Sequence, residues 1–224
     1  MLKPKRNVKR QNLKEDKFVK TTLQMKTYLD ENYRQVVLTV VGVFAVVVIL
    51  ISYRFYSGQS EIEANTHLGI AQVEYTNGNL SVAENRLLQI LENYSSSDAA
   101  DQAKFLLANI NYQQKKYDLA SFYFEEFVDS YSGSDVLLAS GYAGLAACRE
   151  IEENFAEAAV LYDKAARTAP DFTEADNYTY LSGLTYKKAN EIEKARKQFE
   201  KILKHSNTTK RTKDAEKQLV LLGQ

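Results

Sequence analysis

Almost everything that staples, breaks or bends a chain is scarce here. Cys148 is the single cysteine among 224 residues. No disulfide within the chain can close, which excludes the small, disulfide-dense secreted scaffolds. Proline occurs only as Pro4 and Pro170, so long stretches hold no residue that removes a backbone donor. Tryptophan is missing, and His67 and His205 are the only histidines, far apart in the chain. A metal site or an acid–base pair built from them is not expected. Glycine-rich phosphate loops, an HExxH pair and a nucleophile elbow are also lacking. Cys148 stands in an apolar helical context and reads as a structural thiol. The expectation is a protein without catalytic residues, cofactor or metal. Four Asn-X-Ser/Thr tripeptides, at Asn79, Asn93, Asn177 and Asn207, fall mostly where helices are expected to begin or end, and matter only in a glycosylating compartment.

Charge is lacking altogether over residues 35–53, QVVLTVVGVFAVVVILISY, between Arg34 and Arg54. A run of that length, apolar all round, is what a helix needs to cross a bilayer. Tyr33, Tyr53, Phe55 and Tyr56 lie at its ends, where amphipathic rings favour the interface. The formal net charge of zero hides two unlike halves. Residues 1–34 hold ten basic and four acidic side chains, whereas the chain beyond Arg54 holds 18 basic and 25 acidic ones. Basic residues stay on the cytoplasmic side, so the expected topology is a cytoplasmic N-terminus and a translocated remainder. The basic tail also suits anionic lipid headgroups, and its place beside a span explains it without nucleic acid. Phe18, Thr22, Met25, Leu29 and Tyr33 share one helical face within that tail and suit a membrane surface or a partner helix. Three segments follow: a basic tail over 1–34, a membrane helix over 35–56 and a helix-rich domain over 60–224, whose Ala, Leu, Glu, Lys and Gln favour helix.

The helix-rich part repeats itself. GNLSVAENRLLQI (78–90), KYDLASFYFEEF (116–127), NFAEAAVLYDKA (154–165) and EIEKARKQFEKI (191–202) align on Ala83, Ala120, Ala158 and Ala195, which are 37, 38 and 37 residues apart. Leu87, Phe124, Tyr162 and Phe199 follow each alanine by four, one turn along the same face. Ala71, Ala108, Ala146 and Gly183 precede it by twelve. Small residues on two facing helices permit a short interaxial distance. A constant period of this size predicts stacked helical hairpins, with helices over 60–77, 80–93, 98–114, 117–131, 135–152, 155–168, 173–189 and 192–205. A last helix over 210–222 presents Ala215, Leu219 and Leu222 on one side, as a solenoid's closing helix must. Ser, Asp and Thr at 95–98, 132–135 and 171–173 supply helix N-caps.

The small residue, the alanine twelve later and the large apolar residue four beyond resemble the tetratricopeptide repeat, in the registers 64–97, 101–134, 139–172 and 176–209. Only Pro170 stands where that repeat ends in proline, and His67, Lys104, Tyr142 and Thr179 replace its tryptophan. The resemblance implies an all-α fold: a right-handed α-solenoid of about four hairpins plus a capping helix, behind one membrane helix. It also implies that the first helix of each hairpin lines a concave protein-binding groove. The matching positions are Leu68, Gln72, Tyr75, Phe105, Asn109, Tyr112, Gln113, Ala143, Ala147, Glu150, Tyr180, Leu184 and Lys187. Of these, Tyr75, Phe105, Asn109, Tyr112, Gln113, Glu150, Tyr180 and Lys187 carry the chemistry that suits a peptide or a partner helix. Charge is uneven along the array, with 7 basic and 18 acidic side chains over 55–173 against 11 and 7 over 174–224.

A basic tail, one span and four such hairpins resemble the YfgM-like family of bacterial inner-membrane proteins. That resemblance implies a non-enzymatic, periplasm-facing partner of the Sec translocon and of periplasmic chaperones. An envelope organiser similar to the Tol-Pal-associated coordinator, with cell-wall or division proteins as partners, fits the same architecture.

Overall fold

The structure, a computed structural model, describes residues 17–205 and 210–223, apart from the side chains of residues 17–19, 53, 55–57 and 205. The basic tail before Lys17 and the rings of Tyr53, Phe55 and Tyr56 therefore lie outside what is described, as does the His205 side chain. Among the described residues there are ten helices and no strand. They fall into two compact units, Met1–Ser57 and Gly58–Gln224.

The first unit contains α1 (Lys17–Glu31) and the beginning of α2 (Tyr33–Thr76). Leu23, Met25 and Leu29 of α1 are exposed. Within α2, Tyr33–Ser52 is long and apolar enough to cross a membrane, and none of its side chains is buried. The helix expected to begin near residue 60 is instead the last part of α2. Ser57, Gly58, Gln59 and Ser60 include no proline, and a single glycine costs a helix only about 1 kcal/mol.

The second unit is a row of hairpins: the end of α2 with α3 (Leu80–Asn93), α4 (Asp98–Gln113) with α5 (Tyr117–Ser130), α6 (Asp135–Ile151) with α7 (Phe155–Thr168), and α8 (Ala175–Lys188) with α9 (Ile192–His205). The end of α2 shares a buried cluster with α3, each helix from α3 onward packs on its neighbours in chain order, and α10 (Lys210–Leu222) closes the row against α9 and α8. The same turn recurs inside every hairpin. Gly78, Lys115, Glu153 and Asn190 have φ between 60° and 80°, the left-handed region. The amides that follow them, on Asn79, Lys116, Asn154 and Glu191, donate back to the carbonyls of Glu74, Asn111, Arg149 and Tyr186 at 2.9 Å. This is the six-to-one bond that ends a helix and satisfies its loose carbonyls. Each such residue stands five before an aligned alanine, so the turn and the close helix contact form one unit.

Ala83, Ala120, Ala158 and Ala195 are fully buried, as are Ala71, Ala108 and Ala146. At Gly183 a Cβ would lie 2.6 Å from the ring of Phe199, so the fourth hairpin has room only for glycine. Leu87, Phe124, Tyr162 and Phe199 fill the space beside the alanines, at roughly 1.5–3 kcal/mol per buried side chain. Between the second and third hairpins, Phe124 and Phe127 of α5 press on Gly144 and Gly141 of α6, where any Cβ would overlap the rings.

Two of the expected caps differ. Ser97 caps α4 by accepting the Ala100 amide at 3.1 Å, but Ser134 makes no side-chain cap bond. Helix α8 starts at Ala175, two residues later than expected, with Glu174 rather than Thr173 at the cap position. Behind Pro170 the amides of Phe172 and Ala175 donate to the carbonyls of Ala169 and Phe172. That pair of turns uses the residues that would have opened the helix.

Candidate functional site

The period that aligns the alanines also aligns Tyr75, Tyr112, Glu150 and Lys187, one in the last turns of each first helix. Neighbouring hairpins join through this row. Gln113 Nε2 donates to Tyr75 Oη at 2.6 Å, and Lys188 Nζ donates to Glu150 Oε1 at 2.6 Å, the partners in both cases 38 residues apart. At the end of the row, Lys187 Nζ donates to Gln218 Oε1 of α10 at 3.3 Å. Tyr162 of α7 donates to Glu150 Oε2 at 3.3 Å. Glu150 is thus held from two sides, by a cation and a phenol.

The other expected residues divide between groove and core. Asn109 is half-buried and spends its Nδ2 on the carbonyl of Phe105 in its own helix, at 2.8 Å. Phe105 lies edge-on to Phe124, with centroids 6.0 Å apart, and 5.2 Å from Phe127; its ring joins the packing between α4 and α5. Tyr180 stands 5.7 Å from Phe199 and carries the Arg211 guanidinium of α10 over its face at 4.9 Å. Leu68 belongs to the core of the first hairpin rather than to the groove. Tyr112 packs edge-on against Tyr117 at 5.5 Å.

Burial and the nearby carboxylate shape the ionisable groups. Burial raises the Tyr162 phenol far above its ordinary value, and Glu150 adds to the rise. The Tyr112 phenol is raised by burial first, then by Cys148, Tyr117 and Glu150. Burial pushes the Cys148 thiol up to about 12, helped by Glu152. A thiol so protonated is a poor nucleophile near neutral pH. Among the described residues no cluster of three or more His, Cys, Asp or Glu side chains is placed to hold a metal ion. His67 lies against Tyr94, with ring centroids 5.9 Å apart.

Sequence reasoning missed a junction beside the third hairpin's turn. Arg149, with its side chain 17 % exposed, bonds Ser121 Oγ at 2.7 Å and pairs with Glu152 and Glu157 at 3.0 Å, and also with Glu125. Burial alone would lower its pKa, but the bonds from Glu157 and Glu152 outweigh that and raise it. One cation therefore ties α5, α6 and α7 together. Its only sequence signal is a lone Arg among Glu150, Glu152, Glu153 and Glu157.

Residues 68–135 match the sequence profile of the tetratricopeptide repeat. No curated protein matches the chain. Among solved structures, BtubC from P. vanneervenii is similar over 69 % of this chain and 72 % of its own, at 16 % identity and a TM-score of 0.52. The N-terminal domain of stress-induced protein-1 from C. elegans is matched at 19 % identity and a TM-score of 0.46, over 57 % of this chain and 97 % of that one. PilF of Pseudomonas aeruginosa is matched at 13 % identity and 0.42, over 73 % and 90 %. The four equivalent hairpins and the profile match make the array a tetratricopeptide-like solenoid, and residues 68–135 are where its sequence matches that family.

Proposed function

We propose that this chain is a non-catalytic, membrane-anchored scaffold whose hairpin array binds other proteins. The observation that carries the reading is the row Tyr75, Tyr112, Glu150 and Lys187, repeated once per hairpin with Asn109 and Gln113 beside it. Aromatic rings, amides and one charge of each sign, aligned on successive first helices, suit an extended peptide or a partner helix. The step from an acidic body over 55–173 to a basic end over 174–224 would orient such a partner. The anchor is Tyr33–Ser52. The excess of basic residues before it favours a cytoplasmic N-terminus and an array on the extracytoplasmic face of a bacterial inner membrane. In that place the partners are proteins leaving the Sec translocon, or chaperones receiving them.

Two measurements test this. Protease added to spheroplasts should digest the array and leave a small protected fragment; an array resistant until lysis overturns the topology. Detergent-solubilised chain should co-purify with translocon or chaperone subunits. Replacing Asn109, Tyr112 and Gln113 together by Ala should remove them at unchanged helicity and membrane retention. Phe105 is left intact in that variant because its ring serves the core. Cell-wall or division proteins in place of the translocon would favour an envelope organiser, and normal binding by the folded triple variant would overturn the groove.

A further inference from the structure

The first helix of the first hairpin lacks the neighbour that every later first helix has. Shifted by one repeat period, Ile62, Thr66, Ile70 and Val73 of α2 become Ala99, Ala103, Leu107 and Ile110 of α4. All four of those are fully buried in the cluster that α4 forms with α3. One period further, Thr66, Ile70 and Val73 become Gly141, Leu145 and Cys148 of α6, also buried, with Gly141 pressed on Phe127 of the preceding α5. Another period on, Ile70 becomes Ser182, whose hydroxyl donates to the Ala159 carbonyl of the preceding α7 at 2.8 Å. These positions are the ones by which a first helix docks on the second helix of the hairpin before it. On α2 they are open: Ile62 is 64 % exposed, Val73 56 % and Ile70 39 %. Beside them Gly69 is exposed, and a Cβ built there meets nothing within 4 Å.

We propose that the face is covered by the same face of a second copy, the two α2 helices running parallel. Three observations select that occupant. Across a twofold axis each residue near the axis meets itself or its near neighbours, so an unmatched charge there would face its like, and Ile62, Thr66, Gly69, Ile70 and Val73 carry none. The three carboxylates of this stretch are drawn to their own array: Glu61 accepts the Asp98 amide at 3.2 Å, Glu63 the Tyr94 hydroxyl at 3.2 Å, and Glu74 the Asn79 amide nitrogen at 2.8 Å. Polar members of the face are satisfied within the helix, Thr66 Oγ1 by the Ile62 carbonyl at 2.8 Å and Thr76 Oγ1 by that of Gln72 at 3.0 Å. Second, the excess of acidic side chains over 55–173 disfavours pairing two copies through the array body, leaving the neutral face as the surface that tolerates its like. Third, Ile62, Thr66, Gly69 and Val73 recur at steps of four, three and four. That is the spacing of a two-stranded parallel seam, with glycine allowing close approach. The parallel sense rests on the anchoring proposed above, since two copies in one membrane share their orientation.

The test uses the full chain in its own membranes. Ile62→Cys and Val73→Cys are compared with the parent, whose only thiol is buried, and with Asn93→Cys on exposed α3 surface. Mild oxidation should convert most of the Ile62→Cys and Val73→Cys chains to disulfide-linked dimers, while the parent and Asn93→Cys remain without a covalent link. Adding Gly69→Glu to Val73→Cys should cut the dimer at least fivefold at unchanged helicity. Membranes from the same cells are washed with alkaline carbonate to read the anchoring separately. A chain retained in the membrane whose seam cysteines stay monomeric, or link only to a different protein, overturns the second copy as occupant. A chain released by carbonate yet still linked at Val73→Cys keeps the dimer and overturns the anchoring.

Discussion

Four residues in left-handed backbone conformation end the first helices, and only one is glycine. Lys115, Glu153 and Asn190 take up φ near 60°, a conformation that costs a side-chain-bearing residue about 1–2 kcal/mol. Asparagine tolerates it best, so relief is largest at Lys115 and Glu153. Glycine there also gains freedom in the unfolded chain, which takes back about 0.4–1 kcal/mol. Lys115→Gly and Glu153→Gly should each raise the stability of the array by roughly 0.5–1 kcal/mol, read as a higher thermal midpoint. The sequence places a break at each of these turns, but lysine and glutamate carry no signature of a left-handed residue, and only their place five before each alanine marks Lys115 and Glu153. Cys148 leads to a second expectation. Its thiol ionises near 9 in the unfolded chain and only at about 12 in the folded one. The unfolded state therefore releases its proton first as pH rises, and its contribution to stability is undiminished below 9 and falls between 9 and 12. A thiol reagent at pH 8 should leave the native chain unlabelled and label it fully once denatured. Rapid native labelling would show that the interior around Cys148 opens. The residue was readable as a buried thiol from its apolar neighbours alone, whereas the four-partner clasp of Arg149 was not. Its partners Ser121 and Glu125 come from α5, Glu152 from the turn after α6 and Glu157 from α7, and only the packing brings the α5 pair to it.

Helices announce themselves by period, and here the period is kept in space. Alanines chosen from a 37- to 38-residue spacing all prove fully buried, because a helix pair can approach closely only where both faces are small. The observed helices from α3 to α10 begin and end within about two residues of the sequence expectation. The exceptions have local causes. Helix α8 starts late because Pro170 and the turns after it use Asp171–Thr173, and α2 absorbs the first expected helix because nothing between 57 and 60 stops it. Contacts between successive hairpins were less legible. Gly141 and Gly144 look like helix-weakening residues in the sequence, yet they seat Phe127 and Phe124. Gly144→Ala should therefore destabilise the array despite its better helix propensity, by about 1–3 kcal/mol, because overpacking forces Phe124 off its position. Ala120→Leu should do the same inside the second hairpin. A Gly144→Ala variant at least as stable as the parent would mean that α5 and α6 do not meet as described.

A solenoid has no single core, and its stability is summed over neighbours. The core clusters of this one are correspondingly separate: one around α3 and α4, one around Phe124 and Cys148, one around Phe199, Tyr186 and Ala215. The last depends on α10, which occupies the position of a fifth first helix. Ala215 is fully buried there, Leu219 and Leu222 pack against the cluster, and Arg196 Nη2 donates to the Leu222 carbonyl at 3.1 Å. Arg211 over Tyr180 and the bond from Lys187 to Gln218 fasten the same helix to α8. Removing residues 210–224 should strip this cover from α8 and α9 but leave α4 and α5 with all their neighbours. Hydrogen exchange should then show protection lost by orders of magnitude in α8 and α9, reduced in α6 and α7, and nearly unchanged in α4 and α5. Helicity should fall by little more than the deleted helix plus the fourth hairpin. The gradient is the informative part, since it follows from nearest-neighbour coupling and not from any property of α10 alone. Uniform loss of protection along the whole array would show that the hairpins unfold as one cooperative body. In that case the Arg149 clasp and the Gly144–Phe124 contact, the joints between the second and third hairpins, would have to transmit the damage.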